Sequence, residues 1–79
     1  MDDRALARLR WRCRRGMLEN DLVLTRFLDA EGEKLNEQEV ETLMRLLDLP
    51  DGDLWDLLAG RREPEDRDFV PIVNRLRQY

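Results

Sequence analysis

Apolar side chains recur every three to four positions along most of this chain, and no stretch alternates strictly between apolar and polar residues. A spacing of three to four residues is the period of an amphipathic α-helix, whereas alternation would indicate a β-strand. The pattern therefore predicts an all-α protein, folded as one compact domain over residues 1–79. We predict a bundle of five short helices, which cover residues 4–14, 17–30, 36–48, 51–60 and 66–78.

Each predicted helix carries an apolar stripe that would face the core. In the first two helices these stripes consist of Leu6, Leu9, Cys13, Leu18, Leu22, Phe27 and Leu28. Because Cys13 falls on its stripe, we interpret it as a small buried apolar residue rather than a nucleophile. Trp55 lies among leucines, and we assign it to the core as well.

Residues with strong conformational preferences mark the ends of these helices. Gly16 would end the first helix and Gly60 the fourth, because glycine readily takes the positive φ of a helix C′ position. Asn36, followed three residues later by Glu39, is typical of a capping box. Asp51 would cap the fourth helix.

Pro71 lies inside the fifth predicted helix, where it would remove one backbone hydrogen bond and clash with the preceding turn. A proline in the first turn causes neither problem, because the first-turn amides have no partner within the helix. We therefore expect either a late start of this helix near Asp68 or a kink between Glu65 and Pro71.

The composition excludes several classes of protein. The chain has 79 residues, no histidine and one cysteine, which removes the usual general base, histidine metal sites and an intramolecular disulfide. Its uninterrupted apolar runs stay far below the ~20 residues that span a bilayer, and its first residues do not form a secretory signal. We expect a cytoplasmic protein that has no metal site, does not insert into a membrane and works as a binding module.

Charge is distributed unevenly along the chain, whose formal net charge is -4. Residues 1–15 carry six arginines and a net charge of +4, whereas residues 16–79 carry a net charge of -8. A basic helix raises the question of nucleic-acid binding. We predict no nucleic-acid partner, because the basic segment ends at Glu19 and Asp21 and a phosphate-binding surface normally spans several elements.

The segment from Trp11 to Glu19 joins the first two helices and offers the most candidate chemistry. A glycine between the helices allows a tight turn that holds Arg15 and Glu19 beside one corner, where backbone amides open a new helix. Spacing alone favours a capped junction with a solvated Arg15–Glu19 pair. Trp11 points away from the apolar stripe, and it either packs on another helix or serves as an interface anchor.

The motif R-G-x-x-E occurs at residues 15–19, and it resembles the signature of the SdhE family, the small FAD assembly factors of succinate dehydrogenase. The resemblance continues through residues 11–14, residues 27–28 and the string at 46–55. Order and spacing agree over about residues 4–76, which is almost the whole chain.

The resemblance implies a five-helix protein that binds the flavoprotein subunit of succinate dehydrogenase and, in some bacteria, that of fumarate reductase. It implies an accessory factor rather than an enzyme. Such a factor promotes covalent attachment of FAD to a histidine of its client and carries no cofactor of its own. We expect a monomer. The alternative is a regulatory interaction module, such as a toxin–antitoxin component.

The resemblance also assigns the site. The predicted client-binding residues are those of the motif, their neighbours and two arginines that would steer docking: Arg15, Gly16, Glu19, Arg14, Met17, Trp11, Arg8 and Arg12. Gly16 would let the client backbone approach closely, and Arg15 and Glu19 would make charged hydrogen bonds near its flavin. No catalytic residue is predicted in this chain.

Overall fold

Five α-helices and two 3₁₀ turns make up most of the computed structural model, which describes residues 3–13 and 17–79. The α-helices are α1 (Asp3–Arg12), α2 (Leu18–Glu31), α3 (Glu37–Leu46), α4 (Asp51–Leu58) and α5 (Val70–Leu76). The 3₁₀ turns are Gly32–Lys34, before α3, and Arg67–Phe69, before α5. No β-strand occurs in the two described ranges, and the all-α prediction is confirmed.

A single hydrophobic core joins the five helices. Each helix contributes at least one leucine with no exposed surface, namely Leu9, Leu24, Leu43 with Leu46, Leu54 and Leu76. Cys13 lies in the same core with 4% of its surface exposed, which confirms its assignment as a buried apolar residue. Trp55 packs against the edge of the core and is only half-buried, so it lies farther out than the sequence predicts.

The structure corrects the predicted apolar face of α2. The residues of α2 that are buried are Asn20, Leu24, Phe27 and Leu28. Leu18 and Leu22, which the sequence assigns to the core, leave 65% and 45% of their surface exposed. At about 100° per residue, they lie one turn apart on the side of α2 that faces away from Phe27. Since α2 is apolar on both sides, its periodicity fits two stripes, and only packing selects between them.

Local chemistry accounts for two helix ends. Asn36 Oδ1 accepts a hydrogen bond from the Glu39 amide at 2.8 Å, and Glu39 Oε1 accepts one from the Asn36 amide at 3.0 Å. These two bonds form the predicted capping box of α3. Gly60 follows α4 with a φ of 78°, and its amide bonds back to the Leu57 carbonyl at 3.2 Å, as in a Schellman motif.

The predicted cap of α4 is wrong by one residue. Pro50 occupies the N-cap position and makes no side-chain capping hydrogen bond, so Asp51 is the first helical residue. There the Asp51 carboxylate lies at the positive end of the helix dipole, which stabilises its charge. The other predicted ends of α1 to α4 lie within two residues of the observed ones.

The last helix has the late start, not the kink. It begins at Val70 and carries Pro71 in its first turn, where the missing amide removes no helical hydrogen bond. The helix is shorter than the predicted span of 66–78, because a 3₁₀ turn occupies its expected beginning. Asp66 stabilises that turn by accepting a hydrogen bond from the Asp68 amide at 2.9 Å.

Arg75 connects α5 to α2 and α3. Its guanidinium donates to Glu31 Oε1 at 2.5 Å, bonds Glu39, and lies 5.4 Å from the centre of the Phe27 ring. The Tyr79 hydroxyl donates to Glu31 Oε2 at 2.7 Å, and the Tyr79 and Phe27 rings meet edge to face. The hydrogen bonds from Tyr79 and then from Arg75 lower the pKa of Glu31.

Candidate functional site

The turn between α1 and α2 is where the sequence places the client-binding motif. Its residues Arg14, Arg15 and Gly16 lie outside the described residues, so the roles predicted for these three stay predictions. The described part of this corner is the end of α1 and the start of α2. It contains the remaining predicted residues, Arg8, Trp11, Arg12, Met17 and Glu19.

The outer face of α1 is basic and aromatic. Trp11 leaves 71% of its surface exposed, and the exposed Arg4 and Arg8 lie on the same side, seven and three residues before it. Neither arginine forms an ion pair with a described residue. Trp11 is therefore displayed at the surface beside cationic groups instead of being buried against another helix, which suits an interface anchor.

Arg12 belongs to the ion pairs that hold α1 in place. Its guanidinium lies 2.6 Å from Asp48 Oδ1, just beyond the end of α3, while Arg10 lies 2.8 Å from Asp29 of α2. All four side chains are partly exposed, so each pair is worth about 1 kcal/mol or less. Arg12 is thus ion-paired with Asp48, whereas Arg8 forms no ion pair with a described residue.

Met17 and Glu19 open α2. Met17 is its half-buried N-cap, and the Met17 carbonyl accepts a hydrogen bond from the Asp21 amide at 3.1 Å. Glu19 is exposed in the first turn and makes no hydrogen bond or ion pair with a described residue. The helix dipole stabilises a carboxylate at this position, and the Glu19 oxygens can accept hydrogen bonds from a partner.

Asn20, which is not among the predicted site residues, connects the start of α2 to the start of α4. Its side chain is fully buried; Nδ2 donates to the Asp51 carbonyl at 3.0 Å and lies 3.7 Å from the Met17 sulfur. Asn20 Oδ1 is buried as well and accepts no hydrogen bond from a described residue. A polar residue in register with Leu24 and Phe27 is the sequence signal that indicates such a contact.

The basic side chains that form no ion pair within the described ranges are Lys34, in the first 3₁₀ turn, and four arginines, most of which lie on α1 and α2. Elsewhere, ion pairs hold Arg45, Arg75 and Arg77 at 3.3 Å or less, and longer contacts of 3.8 and 3.9 Å engage Arg61 and Arg62. The arginines that form no ion pair within the described ranges are Arg4, Arg8, Arg26 and Arg67. Three of these four lie on the two helices that flank the motif.

Two kinds of structure are absent from the described ranges. No group of three or more histidine, cysteine, aspartate or glutamate residues there is arranged to hold a metal ion. No helix in the same part of the chain is long and apolar enough to cross a membrane. What the corner does present is an exposed indole, an arginine and a carboxylate, which are groups that bind other proteins through packing and charge.

Comparison with known proteins identifies the family. The family described as flavinator of succinate dehydrogenase matches residues 7–79. The protein of Ralstonia nicotianae named FAD assembly factor SdhE is 47% identical over 75 residues, which are 95% of this chain and 79% of that relative. The chain belongs to the SdhE family.

Further SdhE relatives match along nearly their whole length. The FAD assembly factor SdhE of Coxiella burnetii is 42% identical over 74 residues, 94% of this chain and 90% of the relative. That of Legionella pneumophila strain Lens is 43% identical over 77 residues, 98% of this chain and 96% of the relative. The SdhE match confirms the resemblance stated from the R-G-x-x-E motif, and its span includes all eight predicted client-binding residues.

Proposed function

We propose that this protein binds the flavoprotein subunit of succinate dehydrogenase and promotes covalent attachment of FAD to that subunit. Its SdhE relatives, which are named FAD assembly factors, support this role. The structural observation that carries the proposal is the corner between α1 and α2. There Trp11 is exposed, and Arg8 and Glu19 have no ion pair with a described residue. The proposal includes the flavoprotein of fumarate reductase as a second client.

The protein would act as a template and not as an enzyme. The new bond joins a histidine of the client to the client's own flavin, and this chain, which has no histidine, contributes no atom to it. Holding two reacting groups in an attack geometry removes much of the entropic barrier to their reaction. A binding protein achieves this when it prefers the client conformation in which the two groups are aligned. FAD would then be a cofactor of the client alone.

The corner would contribute three kinds of contact to this complex. Glu19 and Arg15 would make charged hydrogen bonds to the client, and Gly16 would allow its backbone to come close. Trp11 would fill an apolar pocket, and Arg8 would attract acidic surface before contact. The complex would form in the cytoplasm from one copy of each protein.

The test is covalent flavin fluorescence of the apo flavoprotein subunit on a denaturing gel, after incubation with FAD alone or with FAD and this protein. We expect the native protein to raise the signal, and the Glu19→Ala and Gly16→Arg variants to raise it less. The matched control is Glu41→Ala, because Glu41 is an exposed glutamate of α3 without an ion pair to a described residue. Equal signals with and without the native protein, on a flavoprotein that binds FAD, would refute the proposed function.

A further inference from the structure

Two leucines outside the core lie next to each other on the outer side of α2. Leu18 and Leu22 expose 65% and 45% of their surface, and residues four apart on a helix are neighbours. The other large apolar residues that are exposed among the described ones are Trp11 and Val70. Single exposed apolar residues are ordinary on a protein surface, whereas adjacent ones form a continuous patch. We call this pair the Leu18–Leu22 strip.

Two charged residues of α2, Glu19 and Arg26, border the Leu18–Leu22 strip on one side. Glu19 directly follows Leu18, and Arg26 lies one turn beyond Leu22. Neither charged group forms a hydrogen bond or an ion pair with a described residue. Asp29 on the same helix differs, because Arg10 engages it at 2.8 Å. The surface around the strip therefore has an apolar centre and charged groups at its edge, as protein interfaces usually have. These charged groups find no partner among the described residues.

We propose that the Leu18–Leu22 strip docks an apolar ridge of the flavoprotein subunit, with a basic group of that subunit opposite Glu19 and an acidic group opposite Arg26. This inference rests on the proposed function and adds a second contact surface to it, on α2 itself. The strip adjoins the predicted client-binding corner, because Glu19 of that corner directly follows Leu18.

The small area of the strip favours the flavoprotein subunit, and not a second copy of the same chain, as its binding partner. The exposed surface of the two leucines amounts to little more than one leucine side chain. A stable protein interface buries about 800 Å² on each partner, so two strips facing each other would fall far short. As an addition to a larger contact, the strip is worth about 10- to 100-fold in affinity.

The test is a titration of the apo flavoprotein subunit of succinate dehydrogenase with this protein in the presence of FAD, read as covalent flavin. The variant is Leu18→Gln combined with Leu22→Gln, because glutamine keeps a helix propensity close to that of leucine. We expect the half-saturating concentration to rise at least 10-fold while the plateau of covalent flavin stays at the native level. Val70→Gln, which removes the remaining exposed aliphatic residue on α5, is the matched control and should titrate like the native protein.

Each outcome addresses either the strip or the proposed function. If the double variant and the native protein titrate alike, the strip is not a client surface, while the proposed function stands. If the native protein itself gives no rise in covalent flavin, the proposed function fails and the strip loses its assigned occupant. A dimer of the native protein that disappears in the double variant, seen by sedimentation at the concentrations of the titration, would assign the strip to a second copy and overturn the proposal. The thermal unfolding midpoint should be the same in all three proteins, since the changed residues are exposed.

Discussion

The side-chain amide of Asn20 donates a hydrogen bond to the backbone carbonyl of Asp51 at 3.0 Å, across 31 positions of sequence. This bond holds the first turn of α2, which carries Glu19, against the first turn of α4. The oxygen of the same amide is buried without a described donor. The Asn20 amide therefore stabilises one helix contact through its donor, while its acceptor has no partner among the described residues, and substitutions can separate the two.

Asn20→Asp keeps the size of the side chain, removes the donor and places a carboxylate in the core. We expect the free energy of unfolding at pH 7 to fall by about 3 kcal/mol or more. Burial raises the pKa of a carboxyl group, so the part of the deficit that comes from the charge is absent below the unfolded pKa of about 3.9 and grows as the pH rises above it. Urea unfolding at about pH 4 and at pH 7 measures this difference.

Asn20→Leu is the matched control for that experiment. It removes the donor and the unsatisfied acceptor together, so we expect its free energy of unfolding to stay within about 1 kcal/mol of the native value. If Asn20→Asp were as stable as the native protein at pH 7, Asn20 would not be buried in solution.

The stability of the bundle should fall in acid because of Glu31. Hydrogen bonds from Tyr79 and then from Arg75 lower the pKa of Glu31 from its ordinary value of 4.5, so folding favours the ionised carboxylate. Its stabilisation is complete above that ordinary value and is lost as the pH falls through the lower, folded-state pKa. Glu31→Gln should lower the free energy of unfolding by about 1 kcal/mol at pH 7 and weaken the decline seen in acid. Urea unfolding across this pH range measures both effects.

Tyr79→Phe tests the largest cause of that pKa shift. It retains the edge-to-face contact with Phe27 and removes only the hydroxyl that donates to Glu31. We expect the pKa of Glu31, followed by NMR at its carboxyl carbon, to rise toward 4.5. An unchanged titration of Glu31 would show that the Tyr79 hydroxyl is bonded elsewhere in solution.

Two glycines, one inside α4 and one just after it, should respond to alanine in opposite directions. Gly60 has a φ of 78°, so Gly60→Ala forces a left-handed conformation and should lower stability by about 1 kcal/mol. Gly52 lies inside α4, and a Cβ atom there would meet nothing within 4 Å. Gly52→Ala should therefore raise stability by up to about 1 kcal/mol. Thermal unfolding of both variants under one condition checks the sign, and equal shifts would contradict the end of α4 described above.

Arg8→Ala should slow association with the flavoprotein subunit and leave folded stability unchanged. Arg8 makes no ion pair with a described residue, so its contribution is the attraction of acidic surface over distance. We expect a loss of roughly threefold in association rate at low salt, which disappears near 1 M salt where charges are screened. Stopped-flow mixing measures the rate.

Arg67→Ala is the control that separates the position of the removed charge from the change in net charge. Arg67 is also exposed and unpaired among the described residues, but it lies in the 3₁₀ turn before α5. Its loss changes net charge by the same amount and should leave the association rate near the native value. Equal slowing by both variants would mean that net charge, and not the face of α1, attracts the client.

Features of the fold that depend on neighbouring residues could be predicted from the sequence. The capping box at Asn36 and the turn at Gly60 each involve residues within a few positions, whose own chemistry prescribes the local geometry. The inward face of α2 could not be predicted in this way. Leu18 and Leu22 have the same spacing as a core stripe, and only the positions of the other helices decide that Leu24 is the inner residue.

In the candidate site, too, the local features could be predicted from the sequence and the contacts between distant residues could not. The R-G-x-x-E pattern is local and led directly to the SdhE family. The pairing of Arg12 with Asp48, 36 residues away, depends on how two helices meet and left no mark in either local sequence. The register of Asn20 with Leu24 and Phe27 indicates that Asn20 is buried, but its partner is hidden for the same reason, because that partner is a backbone carbonyl that any residue at position 51 would provide.

The ion pairs that Arg10 and Arg12 make with Asp29 and Asp48 have a consequence for selectivity. From the sequence alone, the arginines in residues 1–15 would be expected to bind any polyanion. In the folded protein, Asp29 and Asp48 neutralise two of these positive charges. A cell is crowded with nucleic acids and acidic proteins that compete for loose positive charge. Because two of these arginines are already paired within the protein, polyanions bind this surface more weakly. A stable complex therefore requires a partner that is complementary in shape as well as in charge.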